Sequence, residues 1–144
     1  MKRLLIILIL ALLNQFCGKS QTIAQDSVAI RNTVMNYIEG WNSGDTVRMA
    51  KALHPKLAKR GAVASPNGKS VELQRATYAD MMNWTAYRST LPAVKEEVEI
   101  VIYDIGKNIA NAKCVSKEYI DHLHLVRIDN EWKILNAIWE LNLP

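Results

Sequence analysis

The sequence predicts a single α+β domain in which helices come first and a mainly antiparallel sheet follows. Between Ile30 and Trp41 the apolar residues lie three or four positions apart, which is the spacing of one helix face. Between Val94 and Tyr103 apolar and charged residues alternate, and strand-forming segments continue to Leu141. A curved sheet wrapped around the first helix would bury its apolar face, so we expect a cone-shaped barrel.

Residues 1–24 are typical of an export signal. Two cationic residues precede an apolar block, Leu4–Leu13, which is too short to span a membrane. We therefore expect the segment to be removed, leaving one domain over residues 25–144 in the periplasm or outside a bacterial cell. A lipoprotein anchored at Cys17 is the alternative, which the bulky residue before that cysteine disfavours.

The charge of the chain argues against nucleic-acid binding. The formal net charge is +4, and the first 24 residues hold three cations and no acid, so the remaining domain carries +1. No cluster of basic residues with interleaved aromatics occurs in that domain. Its one cysteine, Cys114, lies between apolar neighbours and is interpreted as a core thiol rather than a nucleophile.

Three helices are expected in the domain. Asp26 or Ser27 can cap the first, and Asp45 can cap the second after a glycine stop. Pro55 ends the second helix, because proline disfavours helical geometry at the residue before it. The third helix is expected from about residue 74 to residue 87.

The strands follow from alternation and from turn residues. We expect a turn at residues 66–68 and a hairpin turn at residues 129–131, where Pro, Asn, Asp and Gly cluster. In the longest segment the apolar residues change face near residues 116–121, which indicates a bulge, a bend, or a sheet covered on both faces. The expected strands are 57–63, 71–73, 94–103, 109–128 and 132–141.

Several short motifs follow one another along the chain: Tyr37-Ile38-Glu39-Gly40-Trp41, Gly44-Asp45, His54-Pro55, Asn108-Ile109-Ala110-Asn111-Ala112-Lys113, Asp121-His122-Leu123-His124-Leu125, Trp132-Lys133-Ile134 and Trp139-Glu140. In this order they resemble the lumazine-binding family, within the superfamily similar to nuclear transport factor 2. The resemblance implies a cone-shaped α+β barrel with a pocket between helices and sheet, in proteins that often dimerise through the sheet. It carries over no set of functional residues, and His122 stands where such sequences commonly have tyrosine.

Asp121 and His54 are the candidate proton-transfer residues. Asp121 lies within an apolar strand, where desolvation favours a carboxyl that exchanges a proton near neutral pH. An ion pair with Lys or Arg of a neighbouring strand, or a solvent-facing position, is the alternative. His54 ends the second helix and either faces a pocket or bonds the last helix carbonyls.

The two strand histidines are weaker candidates for function. His122 and His124 share one face of their strand, and His54 or Glu140 would have to supply a third metal ligand. Nothing in the spacing places that third ligand, so we expect no metal site. Asp121 and His122 point to opposite faces unless a bulge intervenes.

Aromatic residues favour a site for a small, flat ligand. Tyr37 and Trp41 on the first helix would face Trp132 and Trp139 on the last strand. Core packing is the alternative interpretation for each of them.

Three functions therefore stay open. The leading hypothesis is an exported homodimer that binds a small aromatic molecule, with no cofactor. The second is an isomerase, cyclase or dehydratase in which Asp121 moves a proton and His54 assists. The third is a non-catalytic interaction module. The residues expected to line the pocket are Tyr37, Trp41, His54, Asp121, His122 and Trp139.

Overall fold

The computed structural model describes residues 2–65 and 68–142, with side chains from residue 23 onward. It contains three helices and six strands, an α+β arrangement with the helices against one face of the sheet, as predicted. The helices are α1 (Lys2–Ser43), α2 (Thr46–Ala52) and α3 (Tyr78–Arg88), and the strands are β1 (Leu53–Ala64), β2 (Val71–Thr77), β3 (Glu99–Ile105), β4 (Ile109–Val115), β5 (Tyr119–Ile128) and β6 (Glu131–Leu141).

The six strands form one curved sheet in the order β2-β1-β6-β5-β4-β3. All pairs are antiparallel except β1 with β6, which run parallel. The sheet is open, because β2 and β3 are its two edges. The cone is therefore completed by the helices and not by closure of the strands.

The core lies between α1 and the inner face of the sheet. Ile30 and Val34 on α1 are fully buried, as the predicted helix face requires. They belong to the same apolar cluster as Leu123, Leu125 and Ile134 on the central strands. The spacing of apolar residues in the first helix therefore predicts its buried face.

The expected start of the first helix at Asp26 or Ser27 is wrong. α1 runs without a break through this position, so Asp26 is a mid-helix residue and caps nothing. Its carboxylate Oδ1 instead accepts hydrogen bonds from Arg127 Nη1 at 2.7 Å and Trp132 Nε1 at 3.1 Å. These contacts hold α1 against the β5–β6 hairpin.

The second helix ends earlier than predicted, at Ala52, and His54 and Pro55 already belong to strand β1. Asp45 caps α2 as expected, accepting from the backbone N–H groups of Val47 and Arg48. The third helix starts at Tyr78 rather than near residue 74, because Thr77 and Asp80 form a capping box there. Residues 74–77 complete strand β2 instead.

Two predicted strands were too long. The segment from residue 94 to residue 98 has no regular structure and is tied to the end of α1, where Val94 N–H donates to the Asn42 carbonyl. The expected 109–128 strand is two strands joined by a tight turn, in which Ser116 and Tyr119 exchange hydrogen bonds. The turn at residues 66–68 falls mainly on positions outside the described residues.

The hairpin between β5 and β6 is confirmed. Asp129 and Asn130 both adopt positive φ, 51° and 63°, in the two-residue turn that matches the twist of an antiparallel pair. β6 carries a bulge, because His124 pairs with Asn136 whereas Leu125 pairs with Ile134. The inward face of β6 changes at this bulge from even to odd positions.

The turn between β4 and β5 explains the change of face seen in the sequence. Cys114 lies opposite Asp121, and Ala112 lies opposite Leu123. Residues paired across an antiparallel ladder share one face of the sheet. Even positions of β4 and odd positions of β5 therefore lie on the same buried face of the sheet. The change of apolar face along the segment is explained without covering both faces of the sheet.

Candidate functional site

A cavity of about 190 Å³ opens between α1, α3 and the inner face of the sheet. Its wall is mainly aromatic and apolar, with one charged pair at its base. It is lined by Tyr37, Ile38, Trp41, Lys59, Gln74, Met81, Trp84, Tyr119, Asp121 and Trp139.

The charged pair consists of Lys59 on β1 and Asp121 on β5, which form a buried salt bridge. Tyr37 on α1 completes the cluster, since its hydroxyl donates to Asp121 Oδ1 at 3.0 Å. Lys59 Nζ also donates to the Tyr37 hydroxyl at 2.5 Å. Charged groups are buried in proteins only when paired in this way.

The sheet register brings this pair together over strand β6. Lys59 pairs with Ala137 on one side of β6, and Asp121 pairs with Trp139 on the other side. The Lys59 side chain therefore spans the width of β6 to reach the carboxylate on the strand beyond it.

Three aromatic rings continue the wall from this pair. Tyr119 meets Trp41 edge to face, with 6.3 Å between ring centroids, and meets Trp139 in the same way at 5.4 Å. Lys59 Nζ lies 5.4 Å from the Trp139 ring, within cation–π range. Gly61 gives the indole room, because a Cβ there would lie 2.4 Å from a Trp139 ring carbon.

The acidic groups around Asp121 are held in their protonated forms. Burial, and then the Asp121 charge, raises the pKa of Tyr37 well above 10.0. Burial also raises the pKa of Tyr119, and it raises the pKa of the Cys114 thiol to about 12, with Asp121 contributing. At neutral pH both phenols are hydrogen-bond donors, and Cys114 is a neutral core thiol rather than a nucleophile.

Four of the six residues expected in the pocket lie together: Tyr37, Trp41, Asp121 and Trp139 line the cavity. His54 lies outside it at the start of β1, where its Nδ1 accepts from the Lys56 backbone N–H at 3.0 Å. Pairing Asp121 with His54 for proton transfer therefore has no support in the geometry.

His122 also lies outside the cavity. It is exposed on the outer face of the sheet, where its ring stacks on Tyr103 with centroids 6.2 Å apart. The reason is the alternation of β5, which turns Asp121 inward and its neighbour outward. Within the described residues no group of three His, Cys, Asp or Glu side chains could hold a metal ion.

The most important residue that the sequence analysis missed is Lys59. The signal was present, because Leu57, Lys59 and Gly61 share one face of the predicted first strand. A lysine on the same face as a buried leucine requires a partner, and Asp121, for which an ion pair with a neighbouring strand is one alternative, is that partner. Tyr119, Gln74, Met81 and Trp84 were also missed, and they reach the cavity only through tertiary packing.

Comparison with solved structures shows the fold. The chain superposes on an NTF2-like protein from Silicibacter pomeroyi with a TM-score of 0.69 and 14% identity, over 83% of this chain and 98% of that one. An NTF2-like protein from Methylobacillus flagellatus superposes with a TM-score of 0.66 and 23% identity, over 83% of this chain and 94% of that one. For a ketosteroid isomerase-like protein from Erwinia carotovora the TM-score is 0.58 and the identity 10%, over 81% of this chain and 96% of that one.

Among the residues that the structure describes, no helix is both long enough and apolar enough to cross a membrane.

Two further comparisons concern sequence. No curated protein matches the chain. The model of the family described as "Putative lumazine-binding" matches residues 25–140, which include the whole cavity wall and most of the sheet. The chain therefore belongs to this lumazine-binding family, and its fold is that of the NTF2-like proteins.

Proposed function

We propose that the protein binds a small, flat aromatic molecule in the cavity between α1, α3 and the sheet. The observation that carries the proposal is the wall itself, where five aromatic side chains line the cavity together with a buried Lys59–Asp121 pair. Flat rings stack well on such walls, and a few fixed polar groups orient them.

The size of the cavity limits the ligand. At about 190 Å³ it is smaller than the roughly 300 Å³ at the lower end for drug-sized ligands. One or two fused rings therefore suit it better than a larger molecule. Lumazine, which gives the family its name and consists of two fused rings, is the first probe.

Titration of lumazine against intrinsic tryptophan fluorescence tests this function, because three tryptophans line the cavity. We expect saturable quenching, and Trp139→Ala weakens binding at least about tenfold by removing a stacking surface. His54→Ala and His122→Ala are the matched controls, since both residues lie outside the cavity. Equal weakening by His54→Ala and Trp139→Ala would place the binding site elsewhere.

A second candidate function is proton transfer on a ketone. It is favoured by the contact of Asp121 with the Tyr37 hydroxyl, which puts a carboxylate and a neutral phenol beside one cavity. 2-Tetralone in deuterated buffer, followed by NMR, is the test. An enzyme would exchange the protons next to the carbonyl faster than buffer does and lose that rate in Asp121→Asn, whereas a binding protein would show the buffer rate.

Export belongs to the same proposal and rests on residues 1–24. Mass spectrometry of the protein recovered from its host distinguishes the outcomes. A mass that lacks the first residues supports export with cleavage. A mass increased by lipid, with Cys17 at the new N-terminus, would support the lipoprotein alternative, and the full-length mass would contradict both.

Homodimer formation through the outer face of the sheet is the final part of the proposal. Tyr103, Ile109 and Ile138 are exposed apolar side chains on the strands of that sheet. Light scattering during size-exclusion chromatography would give twice the monomer mass, and Ile138→Lys would reduce it to the monomer mass. A monomeric wild-type protein would contradict the dimer.

A further inference from the structure

We infer that the cavity accepts uncharged aromatic ring systems and excludes charged ones, anions and cations alike. The inference rests on the proposed binding function and adds the charge of the ligand to its shape and size. It follows from the way in which the charged side chains around the cavity are already paired.

The charges on the cavity wall balance. Among the described residues that line it, Lys59 is the only cation and Asp121 the only anion, and they pair with each other. The two tyrosines of the wall are neutral phenols, because burial raises the pKa of Tyr37 and the pKa of Tyr119 above 10.0. The wall therefore offers no free counter-charge to a charged ligand.

An anionic ligand would find no partner in Lys59. The ammonium already donates to Asp121 Oδ1 and to the Tyr37 hydroxyl. To pair with a ligand anion it would have to leave Asp121, whose charge would then be buried without compensation. An anion in the cavity would therefore lose its hydration and gain nothing that replaces it.

The charges just outside the wall do not attract an anion either. After burial, the charge of Glu118 raises the pKa of Tyr119, and that of Arg88 lowers it. The positive charge of Arg88 on this side of the cavity is therefore offset by a carboxylate.

A cationic ligand meets the opposite difficulty. Aromatic rings attract cations, but the protein's own cations already lie beside most of these rings. Lys59 Nζ lies 5.1 Å from the centroid of the Tyr37 ring and 5.4 Å from that of the Trp139 ring. The guanidinium carbon of Arg88 lies 6.0 Å from the centroid of the Trp41 ring. A further cation against these three rings would be repelled.

Lumazine itself tests the exclusion of anions, because its ring system is a weak acid that loses a proton in mildly alkaline solution. Isothermal titration calorimetry between pH 6 and pH 9.5 measures the affinity. If only the neutral form binds, the affinity is constant below the pKa of lumazine and falls about tenfold for each pH unit above it.

1,3-Dimethyllumazine is the matched control, because it has the same two rings and no acidic N–H. Its affinity should stay constant over the whole pH range, and any change would report titration of the protein. Identical pH dependence of the two compounds would mean that the lumazine anion binds as well as the neutral form, which would overturn the inference.

Isoquinoline and N-methylisoquinolinium test the exclusion of cations at pH 7.5. Both have two fused rings, but only the methylated compound is charged, and its charge lies in the ring itself. The charge therefore cannot remain in water while the ring is bound. We expect the cation to bind at least about tenfold more weakly than isoquinoline. Equal or tighter binding of the cation would overturn the inference.

Asp121→Asn tests the cause, because it removes the charge that compensates Lys59. The folded variant should bind lumazine with less than about a threefold change in affinity between pH 6 and pH 9.5, since the free Lys59 cation now pairs with the anion. Glu39→Gln makes the same carboxylate-to-amide change in the exposed pair with Arg48, outside the cavity, and should keep the wild-type pH dependence. A folded Asp121→Asn protein with the full wild-type decline would contradict the role of the pair, and the wild-type titrations decide the inference if this variant does not fold.

The two failures are distinguishable. If the folded wild-type protein binds none of the neutral compounds, the binding function itself is wrong and the inference falls with it. If neutral and charged forms bind equally well and compete with each other, only the inference is wrong.

Discussion

Asp121 and Lys59 show how a single buried contact shapes this molecule. Their side chains are only 3% and 8% exposed, so each charge depends on the other for its compensation. The pair sits 62 residues apart in sequence and joins strands that are not adjacent in the sheet. It therefore ties the inner face of the sheet together at the base of the cavity.

Asp121→Asn is expected to lower the free energy of unfolding by about 3–5 kcal/mol, because it leaves the Lys59 cation buried without a counter-charge. Urea denaturation at pH 7 measures the change. The exposed pair of Arg48 and Glu39 supplies the control, where Glu39→Gln should cost no more than about 1 kcal/mol. Equal costs at the two sites would mean that Lys59 finds another partner or reaches water.

At the scale of elements, the contact of β1 with β6 determines the shape of the cavity. Gly61 on β1 pairs with Trp139 on β6 in the parallel ladder. The bulge of β6 near Leu135 turns Trp139 inward, and the missing side chain at Gly61 leaves space for the indole.

Gly61→Val is expected to displace the Trp139 ring and abolish lumazine binding. The new Cβ would lie 2.4 Å from the ring, so the indole has to move, at a cost of about 1–3 kcal/mol in stability. Fluorescence titration measures the binding, and urea denaturation measures the stability. Ala64→Val on the exposed end of the same strand is the control, and unaltered binding in Gly61→Val would show that Trp139 is not part of the site.

The cap of α3 makes a prediction about pH. Thr77 N–H and Oγ1 both donate to Asp80 Oδ2, at 2.8 and 2.7 Å, and these bonds lower the pKa of Asp80 below 3.8. Thr77→Ala should cost about 1 kcal/mol. Asp80→Asn should lower the free energy of unfolding at pH values above 3.8, the ordinary pKa of the Asp80 carboxyl. This loss should disappear as pH falls through the lower pKa that Asp80 has in the folded protein.

Comparison of unfolding curves at pH 6 and pH 2.5 checks this sign. A cost of Asp80→Asn that is equal at both values would show that the charge of the carboxylate does not contribute to the cap.

At the scale of the whole molecule, acids with raised pKa values gather around Asp121 and make the protein sensitive to alkali. The pKa of Cys114 rises from 9.0 to about 12, and those of Tyr37 and Tyr119 rise above 10.0. In the unfolded chain these groups lose their protons first, which favours unfolding. Their contribution to stability is complete below about pH 9 and is lost as pH rises through the folded values.

We expect the free energy of unfolding to fall between pH 9 and pH 12, by up to about 1.4 kcal/mol per pH unit for each group. Cys114→Ala should make this decline shallower. Between pH 6 and pH 8 the difference between variant and wild type should stay constant, and an unchanged slope above pH 9 would show that the thiol is not desolvated. Urea denaturation across this range is the measurement.

Local patterns in the sequence determined the α+β class and the main elements. The buried stripe of α1, the Asp45 cap and the hairpin at Asp129 and Asn130 depend on spacing and turn chemistry over a few residues. Such signals do not need the rest of the chain. The aromatic residues Tyr37, Trp41 and Trp139 could be proposed for the cavity because large rings on facing elements tend to meet.

Only the tertiary structure decided which charged residues share the cavity. The sheet order places β1 and β5 on either side of β6, which pairs Lys59 with Asp121 and leaves His54 at the start of β1, away from both. The turn at Ser116 reverses which positions face inward, and no alternation within one strand reveals it. The site depends on contacts between residues far apart in sequence, whose register is determined by the whole sheet and not by the residues around them.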